Sequence, residues 1–165
     1  MMLTGLIASE IAALKPYHIR DGYLNIEESV VRDVEKDDLK TDHRGRRYRL
    51  TQALTQTLEE AMATSTGENL FKMETEKPFN AERFQRQVWR KALEKAGVMY
   101  RKPYITRHTF CAWALTIRVD QNRLVNLMGH ANKRMIFKVY GMYVEGLEKD
   151  RLKILGYYGR DFKRG

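Results

Sequence analysis

The spacing of the apolar residues changes at Thr51, and that change sets the fold class. Beyond it, Leu54, Leu58 and Met62 recur at helical spacing behind a threonine suited to capping. Asn80 opens a second run through Phe84, Val88, Leu93 and Ala96, and Gly97 closes it. After Pro103, Phe110, Trp113, Ala114 and Ile117 share a helix face. Asp120 begins a shorter run through Leu124 and Leu127 to Gly129, and Asn132 begins another through Met135, Ile136 and Val139. Before Thr51 the pattern is of β type. Tyr23, Leu24 and Ile26, then Val30, Val31 and Val34, then Tyr48 and Leu50 lie between turn formers, with residues 42–45 as a hairpin turn. Thr4 is placed to cap a short first helix carrying Leu6, Ile11 and Leu14, which Pro16 ends. The expectation is an α+β fold, mostly α-helical, with a small three-stranded antiparallel sheet. A chain of 165 residues suits one domain with a real core.

Charge narrows the partners. Thirty Lys and Arg against 21 Asp and Glu leave +9, a surplus that favours an anionic partner, nucleic acid first. A basic RNA-binding protein fits that surplus equally well. The single cysteine, Cys111, forbids an internal disulfide and gives no metal cluster, which suits a cytoplasmic protein. No apolar run approaches membrane-spanning length, and the start, MMLTGLIASEIAALK, lacks the basic leader of a signal peptide.

The stretch RHTFCAWALTIRVDQNRLVNLMGHANKRMIFKVYGMY, residues 107–143, carries chemistry-bearing residues at helix ends. Cutting a phosphodiester without a metal needs a nucleophile, cations for the charge that grows on the non-bridging oxygens, and an acid for the leaving sugar oxygen. The planar fork of Arg107 suits the oxygens. His130 follows Gly129 at a helix end and can donate to them, and Tyr140 can attack and store the bond energy in a covalent link. Each residue also has an ordinary reading: a solvated cation, a helix-capping histidine, a half-buried core tyrosine.

The order and spacing of TRHTF, LMGH and KVYGMY resemble the catalytic domain of tyrosine recombinases of the phage integrase type. TGLIASEIAAL resembles that family's first box, usually Thr-Gly-Leu-Arg-x-x-Glu-Leu, and LKTDHRGRRYRLT its β-hairpin with a catalytic lysine before threonine. The boxes cover nearly the whole chain in the family's order. The resemblance implies a tyrosine recombinase (DNA breaking–rejoining) core and site-specific DNA recombination through a 3′-phosphotyrosyl intermediate, as in phage or mobile-element integration. It implies Arg107 as the second catalytic arginine, His130 as the third-box histidine, Lys40 as general acid, Tyr140 as nucleophile and His108 as structural support. Tyr140 lies ten residues past His130 where many members have nine; Tyr143 is the nearby competitor, and Tyr157 and Tyr158 come too late. It implies double-stranded DNA as partner, a tetramer on DNA and a monomer when free, with no metal or other cofactor.

Two positions depart from the pattern. Tyr104 stands where the family has His or Lys, and a phenol can still donate a hydrogen bond. Ile7 stands where the first catalytic arginine belongs. An isoleucine cannot hold an anion, and losing such a contact costs several kcal/mol, or a few orders of magnitude in rate. The chain is then a recombinase homologue that binds DNA and cuts poorly, a variant made to trap a complex, or an enzyme in which another arginine fills the gap, with Arg20 and Lys15 as the substitutes in view.

The boxes assign residues 1–165 to a single catalytic domain, with 144–165 as a C-terminal tail and the family's core-binding and arm-binding domains absent. The tail, with Leu147, Leu152, Ile154 and Leu155 as anchors, is expected either to dock on a neighbouring protomer or to fold back on its own domain. The rival functions are a non-cutting DNA-binding module on this fold and a type IB topoisomerase.

Overall fold

The computed structural model describes residues 1–31, 34–36, 45–65, 67–73, 79–129, 134, 136, 140, 144, 146–159 and 161–162. It is mostly helical, with a three-stranded antiparallel sheet of order β1 (Ile19–Arg20), β2 (Tyr23–Ile26), β5 (Arg46–Arg49). Leu24 stands opposite both Ile19 and Tyr48, and Tyr23 opposite Arg20 and Arg49.

The strand count holds for this sheet, but its membership differs from the sequence reading. Val30, Val31 and Val34 do not form one strand of it. They belong to a separate ladder of β3 (Ser29–Val31) and β4 (Val34–Lys36), in which Val31 pairs with Val34. The third strand is Ile19–Arg20 instead. It joins β2 through Asp21–Gly22, both at positive φ (54° and 76°), the backbone a two-residue antiparallel turn needs and Asp-Gly adopts readily. That dipeptide was the available signal. The proposed turn at 42–45 lies mostly outside the described residues.

The first helix also starts later than expected. Helix α1 (Ala8–Ala12) has Ile7, not Thr4, at its N-cap, because Gly5 turns the chain at φ 69° before the helix can begin. The Glu10 carboxylate accepts from the Ile7 N–H at 3.0 Å and so supplies the missing cap. The Thr4 hydroxyl instead accepts from the Leu6 N–H.

The other caps follow the sequence. Thr51 accepts from the Leu54 N–H at the start of α2 (Gln52–Thr64), Asn80 from Arg83 ahead of α3 (Ala81–Phe84), and Asp120 from Arg123 ahead of α6 (Gln121–Met128). Helix α3 continues through a π-turn, Gln85–Trp89, into α4 (Arg90–Lys95). No residue of this run is buried, and Val88 is 41% exposed. Its aromatic side chains meet their neighbours along the chain: Phe84 packs on Phe79, and the Trp89 indole donates to the Arg101 carbonyl at 2.6 Å.

The core centres on α5 (Ile105–Thr116), whose Phe110, Cys111 and Ala114 are fully buried. Around them pack Leu6, Leu24, Tyr48, Leu58, Leu124, Met128 and Ile136. Each large apolar side chain so buried contributes about 1.5–3 kcal/mol. Residues 134, 136, 140, 144, 146 and 147 are helical. The C-terminal helix Arg151–Tyr158 then returns onto its own domain. Tyr158 stacks on Phe162 at 4.6 Å and stands edge-on to Phe110 at 5.9 Å. The tail is therefore anchored by Tyr158, Phe162 and Ile154. Leu152, one of the expected anchors, is 83% exposed.

Candidate active site

Arg107 lies in the first turn of α5 and is buried, so it is not a solvated surface cation. Its guanidinium donates to the Gly5 and Met128 carbonyls. One side chain thus fastens the first box to the last turn of α6, just ahead of position 130. Gly5 is required there: a Cβ would sit 2.5 Å from Phe110 Cδ1 and 2.9 Å from Met128 Sδ, on a backbone already at positive φ. Gly129, at φ 59°, ends α6 in the left-handed conformation common after helices.

A second buried arginine does parallel work. Arg46, on β5, donates from Nε to the Leu127 carbonyl at 2.8 Å, and the Tyr48 hydroxyl donates to the same oxygen. The final carbonyls of a helix have no partner within it. Here Arg46 and Tyr48 take Leu127, and Arg107 takes Met128. Arg46 also forks onto Glu10, Nη1 to Oε1 at 2.9 Å and Nη2 to Oε2 at 2.8 Å. Sequence reasoning missed this pair, although Glu10 stands in the quoted first box and Arg46 in the hairpin box.

Glu10 brings Arg46 beside position 7, since its Oε2 accepts from both the Ile7 N–H and Arg46. The two substitutes named from the sequence point elsewhere. Arg20 is partly exposed and pairs with Glu27, and Lys15 pairs with Glu28 and Glu68. Among the described residues, Arg46 is brought beside position 7 through Glu10, and Arg107 is held two residues away at Gly5.

Tyr140 is buried, and its hydroxyl lies 2.6 Å from His108 Nδ1. Burial pushes its pKa up to about 12; nearby Cys111 and Tyr104 add to the rise and Arg107 opposes it. Burial lowers the His108 pKa, and the Arg107 cation lowers it further. The Tyr104 ring, partly exposed, stands edge-on to His108 at 5.0 Å. A cavity of 680 Å³ opens beside this group, lined by Ile105, His108, Thr109, Trp113, Tyr140 and Leu147.

The structure therefore brings Arg107, His108, Tyr104 and Tyr140 to one end of α5, with Ile7 and the Glu10–Arg46 pair joined to them through Gly5 and α6. Lys40, His130 and the competing Tyr143 lie outside the described residues. Of the two late tyrosines, Tyr158 is core and Tyr157 sits 5.4 Å from the Trp113 ring. Among the described residues no helix is long and apolar enough to cross a membrane.

Comparison with known proteins bears on the family and the fold. The prophage integrase IntR of Escherichia coli K12 is 34% identical over 67 residues, 41% of this chain and 16% of its own length. IntQ of the same organism, described as defective, is 42% identical over 59 residues, 36% of this chain and 15% of its own length. The chain thus matches a small part of these relatives. The integrase of transposon Tn1549 (residues 82–397), solved with circular intermediate DNA, superposes with a TM-score of 0.74 at 20% identity, over 92% of this chain and 57% of that one. A lambda integrase tetramer bound to a Holliday junction gives a TM-score of 0.60 at 18% identity, over 84% and 39%. At these identities the likeness concerns the fold, which is that of tyrosine recombinase catalytic domains. The model of the phage integrase family matches residues 1–143, and the chain belongs to that family.

Proposed function

We propose that the chain is the catalytic part of a site-specific DNA recombinase of the cytoplasm, acting on double-stranded DNA as a tetramer and monomeric when free. Tyr140 attacks phosphorus, forms a 3′-phosphotyrosyl link and releases a 5′-hydroxyl. Arg107 and His130 hold the non-bridging oxygens, Tyr104 adds a hydrogen bond, and Lys40 protonates the leaving oxygen. The observation that carries this reading is the meeting of the second box with Tyr140: His108, next to Arg107, touches a hydroxyl 32 residues away at 2.6 Å. A buried tyrosine hydroxyl needs some partner; the partner here is a titratable ring next to Arg107, where Tyr48 and Tyr158 use backbone carbonyls. The +9 charge supports a DNA partner whose non-specific affinity falls with salt.

The test is a library of nicked duplexes of random sequence, in which the cut strand cannot rejoin. A covalent protein–DNA product that Tyr140→Phe abolishes supports cleavage. Ile7 favours a second reading, a DNA-binding homologue that does not cut; retained non-covalent binding with no covalent product selects it. Relaxation of supercoiled plasmid without site preference would point to a topoisomerase.

A further inference from the structure

We propose that His108 is the base that takes the phenolic proton of Tyr140 as the tyrosine attacks phosphorus. The proposal rests on the reading of Tyr140 as nucleophile and assigns a role to a residue expected only to support the fold.

The geometry comes first. His108 Nδ1 and Tyr140 Oη are 2.6 Å apart, within the range in which a base can take a proton directly. With Nδ1 accepting, the neutral ring carries its hydrogen on Nε2. Tyr140 is 5% exposed, so bulk water is poorly placed to take the proton. Among the described residues, the titratable groups that act on the pair are Arg107, Tyr104 and Cys111. Arg107 is cationic, and the Cys111 thiol, pushed up to about 12 by burial, stays protonated. Arg107 and burial together hold His108 neutral near pH 7, with its lone pair available. The phenol, with its raised pKa, does not ionise by itself in that range. Consecutive positions on α5 thus supply a cation and a base.

The step balances. The Tyr140 Oη–P bond forms as the P–O5′ bond breaks, the phenolic proton moves to His108 Nδ1, and the departing 5′ oxygen receives a proton from a separate acid. On rejoining, the imidazolium returns its proton to the tyrosine.

The probe is bis(p-nitrophenyl) phosphate, whose leaving group needs no acid, so that the base step is isolated. The expected result is a single-turnover burst of p-nitrophenolate, an aryl phosphate on the Tyr140 peptide by mass spectrometry, and a rate that falls on the acid side with a midpoint below the usual histidine value. His108→Ala should slow the burst about 10²-fold and lose the acid limb, with imidazole in the buffer restoring part of the rate. His108→Asn keeps an acceptor near the Nδ1 position but cannot hold the proton, and should be as slow as alanine. A wild-type rate and pH profile in either variant, with the adduct still on Tyr140, overturns the base and leaves the nucleophile standing. An adduct on Tyr143 rejects the nucleophile assignment itself and the proposal with it. Nitrogen-15 NMR of the unaltered chain needs neither turnover nor a variant: a pyridine-type Nδ1 resonance at neutral pH is expected, and a pyrrole-type one overturns the proposal.

Discussion

Glu10 and Arg46 form a two-pronged ion pair, 2.9 and 2.8 Å, with both side chains almost wholly out of solvent. The same carboxylate caps α1 through Ile7, and the same guanidinium caps α6 through Leu127. Removing one member leaves the other charged in a dry site. Arg46→Met should therefore cost about 3–5 kcal/mol, and the double variant Glu10→Gln with Arg46→Met markedly less than the sum of the singles. Urea unfolding followed by circular dichroism measures both.

Position 7 provides the second prediction. Ile7 contributes only backbone groups to the cap, its N–H donating to the Glu10 carboxylate and its carbonyl accepting from the Glu10 and Ile11 N–H groups, so Ile7→Arg leaves those hydrogen bonds in place. If Arg46 does not already serve, the variant should raise covalent capture of nicked DNA by about 10²–10³-fold, the value of one transition-state donor. Capture equal to the parent chain would show that position 7 is not the missing member of the site.

Gly5 tolerates no side chain. Gly5→Ala places a Cβ against the Phe110 ring on a left-handed backbone and should cost about 2–4 kcal/mol from overpacking and strain together. It also displaces the Gly5 carbonyl from Arg107, so activity should fall even below the temperature at which the variant unfolds. Calorimetry alongside the capture assay separates the two effects.

The tail folds on its own domain through the stack of Tyr158 on Phe162. Tyr158→Ala should destabilise the chain by about 3–5 kcal/mol, as deletion of a large buried ring does. The melting temperature of the parent should not change with protein concentration. A concentration-dependent melt would mean that the tail is exchanged between copies.

Stability should also decline on the acid side. His18 is buried, and its Nδ1 accepts from the Lys15 N–H at 3.0 Å. Burial lowers its pKa; Glu28 and Glu27 oppose the shift, while Arg20 and Lys15 reinforce it. A depressed histidine favours the folded state fully above the unfolded value of 6.5, and that advantage is lost as pH falls through the folded value. His108 is shifted the same way. The unfolding free energy should fall below about pH 6.5, and His18→Asn, which keeps an acceptor for Lys15, should flatten part of the slope. Urea midpoints from pH 7.5 to 5 test this; an unchanged slope would remove His18 from the account.

Several features were legible in the residues. Thr51, Asn80 and Asp120 cap their helices because the signal is local: a short polar side chain, then a free N–H three positions on. Gly97 and Gly129 end theirs at positive φ for an equally local reason. The order of the boxes announced the family. The three-stranded sheet stands, with one strand exchanged: Val30, Val31 and Val34 have the right propensity for either ladder, and only pairing decides between them. Thr4 fails as a cap because Gly5 turns the chain at positive φ before the helix begins.

By itself, then, the sequence determined where the helices after Thr51 begin and end and which stretches are β-prone, and it named the candidate site residues. The tertiary structure decided which polar atoms meet. Arg107 reaches a carbonyl 102 residues away and His108 a hydroxyl 32 away, and no spacing rule spans such distances. It also decided which apolar stripes are covered: that of α5 is buried, while the equally regular one along residues 81–95 stays at the surface. The reason is the same in both cases. Periodicity is written into one segment, but burial and hydrogen bonding need a second surface, and only the assembled chain supplies it.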